Sequence, residues 1–130
     1  MITHLNPATL HHNPAFSQGV LLDGPGRLLV VGGQNGVGPD GQVVAADVHA
    51  QTAQALRNVL AVLAAAGATQ EHVVKMTVHL VAGADVAAGY AAAQEVWGAH
   101  PTALTVLQVA GLGRPECLVE IEALAYLPAA

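Results

Sequence analysis

Cys117-Leu118-Val119-Glu120-Ile121-Glu122-Ala123-Leu124-Ala125 sets two carboxylates two residues apart inside an apolar run. Alternation of apolar and charged residues is the period of a strand, so Val119, Ile121 and Ala123 share one face and Glu120 and Glu122 the other. The apolar face enters a core. The acidic face is solvated, or it belongs to a cleft or subunit interface, where a carboxylate is a candidate general acid or base. Charged side chains are mostly exposed, so a wet sheet face is the ordinary reading of such a pair.

Working outward, Val73 to Val81 alternates in the same way, with Val74, Met76, Val78 and Leu80 on one side and Lys75, Thr77 and His79 on the other. Ala103 to Val109 and Leu118 to Tyr126 read as the last two strands. Residues 1 to 15, with Pro7 and the Asn13-Pro14 turn signal, read as an extended lead-in. Short strands are predicted near Gly19 to Leu22 and Arg27 to Val31, joined by Asp23-Gly24-Pro25-Gly26, which has the composition of a hairpin turn. The run from Gly32 to Gly41 reads as a glycine-rich loop, followed by a brief strand at Gln42 to Val44.

Asp47 is a plausible N-cap for a helix running to about Ala66, with Gly67 as its stop. Val48, Thr52, Ala55, Val59, Val62, Leu63 and Ala66 recur at helical spacing, leaving Gln51, Gln54, Arg57 and Asn58 nearer solvent. Asp85 caps a second helix from Val86 to Trp97, ended by Gly98 and Pro101. This order predicts an α+β layer, with two helices packed on one face of a mixed sheet. The other face then carries Lys75, Thr77, His79, Glu120 and Glu122, and we expect subunit packing there.

The 130 residues fit one domain, 1–130, without linker or repeat. Hydrophobic residues make up 53% of the chain, but the longest apolar run, Val59 to Ala66, is too short to span a bilayer. No membrane partner is expected. The first residues lack a basic and then apolar leader pattern, and a lone Cys117 forms no internal disulfide, so a cytoplasmic protein is expected. Four cations stand against nine acids, for a formal net charge of -5, and aromatic residues are only 3%. Phosphate neutralisation and base stacking both lack their residues, which argues against a nucleic-acid partner. High apolar content with few charges also points to surface buried between subunits.

The glycine run lacks the Lys-Ser/Thr ending of a phosphate-binding loop, though Gly32 and Gly33 after a strand allow a ligand to approach the backbone. Seven histidines, including His11-His12, show no metal-ligand spacing, so no metal site is expected. His79 reads as an interface or surface residue, and Lys75 as a cross-sheet partner of Glu122. Cys117 reads as a small apolar filler. Ser17 lacks the glycine-flanked elbow of a hydrolase nucleophile.

Taken in order, Asn6-Pro7, Phe16-Ser17-Gln18-Gly19, Gly33-Gln34, Asp47 with Gln51-Thr52, Asn58-Val59, Ala65-Ala66-Gly67, Val73-Val74-Lys75-Met76-Thr77-Val78, His100-Pro101 and Val119-Glu120-Ile121-Glu122-Ala123 resemble the RidA/YjgF family, also called the L-PSP endoribonuclease family. The resemblance covers nearly the whole chain. It implies a chorismate-mutase-like (bacillus-type) α+β fold, assembled as a homotrimer with a small-molecule cleft at each subunit interface. Members hydrolyse reactive 2-imino acids to 2-keto acids and ammonia, without metal or organic cofactor. An Arg in a Pro-Ala-Arg-Ser segment grips the substrate carboxylate, and a Glu at the position of Glu120 handles the attacking water.

Against that pattern Glu120 is retained as the catalytic candidate, while the other positions change. The Arg falls on Leu104, within Pro101-Thr102-Ala103-Leu104-Thr105, after about one inserted residue. A pocket Tyr becomes Phe16, beside Ser17; the Ser before Gly33-Gln34 becomes Gly32; and an Asn of the second helix becomes Tyr90. These residues, with Thr105, make up the implied ligand-binding set. Arg114, in the loop before the last strand, is the cation placed to substitute for the missing Arg. Losing a guanidinium fork costs about ten- to several-hundred-fold in transition-state binding of a carboxylate. The expected activity is therefore an imine deaminase for a ligand less anionic than the standard 2-imino acids. The alternative is a non-catalytic metabolite-binding or regulatory trimer, with ribonuclease the weakest of the three.

Overall fold

A computed structural model describes residues 1–130. The chain forms β1 (Ile2–Leu5), β2 (Gly19–Leu22), β3 (Gly26–Asn35), α1 (Val48–Ala65), β4 (Val73–Val81), α2 (Val86–Val96), β5 (Ala103–Val109) and β6 (Val119–Pro128), with one 3₁₀ turn at Gln70–His72. β6, the strand of the two glutamates, lies inside a mixed sheet ordered β3-β6-β4-β5, antiparallel to both of its neighbours. β4 and β5 run parallel, joined by α2 as a crossover.

The apolar side of this sheet meets α1. Val119, Ile121 and Ala123 of β6, Met76 and Leu80 of β4 and Val31 of β3 cluster with Leu56, Val59 and Leu63 of α1. Asp47 caps α1 by accepting from the Ala50 N–H at 2.8 Å, and Gly67 takes φ +74° just beyond its end. Asp85 caps α2 in the same way through the Ala88 N–H at 3.1 Å. α2 packs chiefly on α1, where Gly89 lies against Thr52 and Val48, and a cavity separates it from β4 and β5. Neither helix is long and apolar enough to cross a membrane.

Four local expectations change. Residues 2–5 are a strand paired with β2, so the Asp23–Gly26 turn does not close a hairpin; β2 and β3 take different partners. The supposed glycine loop is strand as far as Asn35, because β6 supplies hydrogen bonds across a bulge between Val31 and Gln34. Gln42 to Val44 gives only a single bridge, Val37 to Val43. Gln51 is fully buried, since α1 is covered on a second side by β6 and the loop that precedes it.

Candidate functional site

Register fixes which residues share the side of the sheet that the helices leave open. Glu120 stands opposite His79 on β4 and Asn35 on β3, and Leu107 lies beyond His79 on β5. The next row is Glu122, Thr77 and Thr105, and the one after it Val30, Leu124, Lys75 and Ala103. Directly paired residues project to the same face. The two acids therefore stand among His79, Asn35, Thr105 and Lys75, bordered by exposed Leu28 (63%), Val30 (67%) and Leu107 (45%).

Glu120 is held from two sides. The Asn35 amide donates to its Oε1 at 3.1 Å and to the Val119 carbonyl at 3.0 Å. Gly33 lies flat against the same carboxylate: a Cβ there would come within 2.5 Å of Oε2 and 2.8 Å of Cδ. Oε2 accepts no hydrogen bond from the protein and is free for a water or a substrate proton. Behind Asn35, Asn58 of α1 donates to the Asn35 and Val37 carbonyls at 3.2 and 2.9 Å, and Gln54 donates to Asn58 at 2.8 Å. The helix thus braces the strand end that aims Asn35 at the acid. His79 shares a 3.2 Å contact with the Glu120 carbonyl through Nδ1, and its Nε2 lies 4.0 Å from Glu122.

The other candidates separate. Thr105 is on the Glu120 face, accepting from Lys75 Nζ at 2.6 Å, so Lys75 pairs with Thr105 and not with Glu122. Gly32 is unobstructed, with no atom within 4 Å of an added Cβ. Ser17 is buried at the edge of β5, its backbone bridged to Ala103 and its hydroxyl sharing a 2.7 Å hydrogen bond with His4. Phe16 packs edge-to-face on His11 at 6.0 Å.

Leu104 corrects the alignment-based expectation. Because Ala103 and Thr105 share the face of Lys75 and Thr77, Leu104 alternates to the helix side, where it lines the cavity under α2 together with Tyr90. It does not face Glu120. Arg114 is engaged within its own chain: Nε and Nη2 meet Glu116 at 3.2 and 3.1 Å while Nη1 donates to the Gly41 carbonyl at 3.0 Å. The Glu116 carboxyl is held below its usual range by a backbone hydrogen bond and by this guanidinium. Lys75 is the one Lys or Arg on the strands of the Glu120 face.

Two consequences are measurable. Leu104→Arg is expected to lower stability by about 1–3 kcal/mol in urea unfolding, by forcing a charge against the core, and not to raise hydrolysis of 2-imino acids above the native level. Cys117 is buried and burial pushes its thiol pKa up. The unfolded thiol then ionises before the folded one, so stability should fall as pH climbs beyond the ordinary thiol range. Alkylation by iodoacetamide should be slow in the native protein and fast in urea.

Asn35 and Asn58 were missed as site residues from sequence. The signal present was Asn35 closing the Gly-Gly-Gln run, but only strand register sets it beside Glu120.

A mixed sheet with two helices behind it and one open face bearing a braced glutamate defines a chorismate-mutase-like α+β protein. The chain belongs to the family described as Endoribonuclease L-PSP, the RidA/YjgF proteins, whose model matches residues 7–127. A RutC family protein of Pyrococcus horikoshii, PH0854, is 36% identical over 102 residues, covering 78% of this chain and 80% of that one. Among solved structures, the Rid family protein YyfB of Yersinia pestis superposes with a TM-score of 0.85 at 34% identity, covering 97% of this chain and 98% of that one. The YjgF gene product of E. coli gives a TM-score of 0.69 at 35% identity over 85% and 86% of the two chains. Family membership makes this a RidA-like small-molecule protein.

Proposed function

We propose that the open sheet face packs against further copies of the chain in a cytoplasmic homotrimer, and that Glu120 lies in a cleft this packing completes. There it hydrolyses the C=N bond of an enamine/imine less anionic than a 2-imino acid, releasing ketone and ammonia. The observation that carries the reading is the Glu120 carboxylate, fixed by Asn35 at 3.1 Å with Oε2 free, on a sheet face rimmed by exposed Leu28, Val30 and Leu107. Exposed apolar area of that kind is commonly covered by another subunit.

In this scheme Glu120 takes a proton from water as the oxygen adds to the imine carbon and the π pair moves to nitrogen. The acid returns that proton to nitrogen, giving the carbinolamine; the carboxylate then takes the hydroxyl proton and passes it to the amine as the C–N bond breaks, so that ammonia leaves as the carbonyl forms. An imine is already electrophilic, so a single placed carboxylate supplies the general acid and base work. The preference for a less anionic ligand follows from the charges, since no Arg stands on the strands of this face and Lys75 is four residues from His79, about 13 Å along the strand. The test is ketone release from imines generated in situ, by the native chain and by Glu120→Gln, with light scattering to give the assembly mass. A mass three times that of the chain and Glu120-dependent release are expected.

A further inference from the structure

His79 stands beside Glu120 on the open face, paired with it across β4 and β6. Its side chain is 22% exposed, and its one hydrogen bond joins Nδ1 to the Glu120 carbonyl at 3.2 Å. A carbonyl only accepts, so Nδ1 carries the hydrogen of that bond and Nε2 is the nitrogen that gains or loses a proton. Nε2 has no hydrogen-bond partner in the chain, and the one carboxylate oxygen within reach is Glu122 Oε1, at 4.0 Å. Glu122 in turn is 55% exposed and has no Lys or Arg partner, so it links Nε2 to solvent.

Glu120 and His79 flank one space. The Glu120 carboxyl leans toward β3, onto Asn35 and Gly33, while His79 stands on the other flank of β6. Paired side chains have Cβ atoms about 4.5–5.5 Å apart, so an imine over this pair meets a carboxylate on one side and an imidazole on the other. The charged groups facing the ring are Glu120 and Glu122 on β6 and Lys75 on its own strand; β5 offers only Leu107 and Thr105.

We propose that His79 is a second proton-transfer residue of this site, giving its Nε2 proton to the substrate nitrogen while Glu120 activates the water. The inference rests on the reading of Glu120 as the hydrolytic base. Glu120 takes the proton of water as the oxygen adds to carbon, and the imidazolium gives Nε2–H to nitrogen as the π pair arrives there. On collapse Glu120 passes its proton to the amine and Nε2 takes the hydroxyl proton. The C–N bond breaks, ammonia leaves, and both side chains return to their starting states.

The test is a pH–rate profile with 1-phenylethanimine, generated in situ by a flavin amine oxidase and followed as acetophenone above the uncatalysed rate. Native chain, Glu120→Gln and His79→Asn are compared. Asparagine keeps an N–H near the position of Nδ1, and with it the bond to the Glu120 carbonyl, but has nothing in place of Nε2. His79→Asn should lower kcat about 10²-fold with KM unchanged, the low end for a general acid because Glu120 still returns a proton. An acid must be protonated to act, so native activity should decline as pH rises through the titration of the ring, and this limb should vanish in His79→Asn. Acetophenone release that depends on Glu120 but keeps its native kcat, or its native pH profile, in folded His79→Asn would overturn the role of His79 alone. No release by the native chain, or release untouched by Glu120→Gln, would overturn the reading of Glu120 and the role of His79 with it.

Discussion

Glu120→Gln is expected to lower imine hydrolysis by about 10²- to 10⁴-fold, the usual worth of a positioned general acid or base. The amide keeps the length of the side chain, and its carbonyl oxygen can still accept from Asn35, whose donor lies 3.1 Å from Oε1 in the native site. Packing against Gly33 is likewise conserved in shape. Loss of rate would then report the missing proton acceptor and not a collapsed site. Assembly mass and melting temperature should stay close to native. Activity retained within a few-fold of native in the folded variant would remove Glu120 from the chemistry.

The largest expected effect on stability comes from Gln51→Leu, about 3–5 kcal/mol in urea unfolding. Gln51 is wholly buried, and its amide donates to the Ala45 and Glu116 carbonyls at 2.8 and 3.0 Å while its Oε1 accepts from the Leu118 N–H at 2.7 Å. Leucine fills a similar volume but leaves three backbone groups without partners inside the protein. Each such group costs about 1–3 kcal/mol, large against a total stability of about 5–15 kcal/mol. These bonds also pin the start of β6, two residues before Glu120. A loss below about 1 kcal/mol would mean that the loop before β6 finds other partners.

How much of this was legible in the sequence depends on how far each feature is local. The alternation from Val119 to Ala123 and from Val74 to Leu80 gave both faces of the inner strands, because a two-residue period survives whatever the neighbours are. Asp47 and Asp85 marked both helix starts, since capping is settled within three residues. The glycines at 32 and 33 were read as loop because their local preference is permissive, whereas pairing with β6, almost ninety positions away, decides their conformation. Gln51 looked solvent-facing by helical period, but its partners come from residues 45, 116 and 118.

Leu104 shows the sharpest limit. Aligning through Gln108-Val109-Ala110 put it at the arginine position, yet a one-residue step along a strand exchanges the two faces of the sheet. Pairing of Ala103 with Lys75 and of Thr105 with Thr77 leaves Leu104 facing the helices. What survives is that the strands bearing Glu120 and its neighbours offer no guanidinium on that face. The preference for a less anionic imine rests on this, and not on Leu104 itself.

The measurement that bears on it most directly is a comparison, in one coupled assay on the native chain, of ketone release from 2-iminobutanoate and from an uncharged imine of similar size, both generated in situ. Faster release from the uncharged imine, lost in Glu120→Gln, is the predicted result. Equal or faster turnover of 2-iminobutanoate would contradict it and place a carboxylate-binding cation beside Glu120.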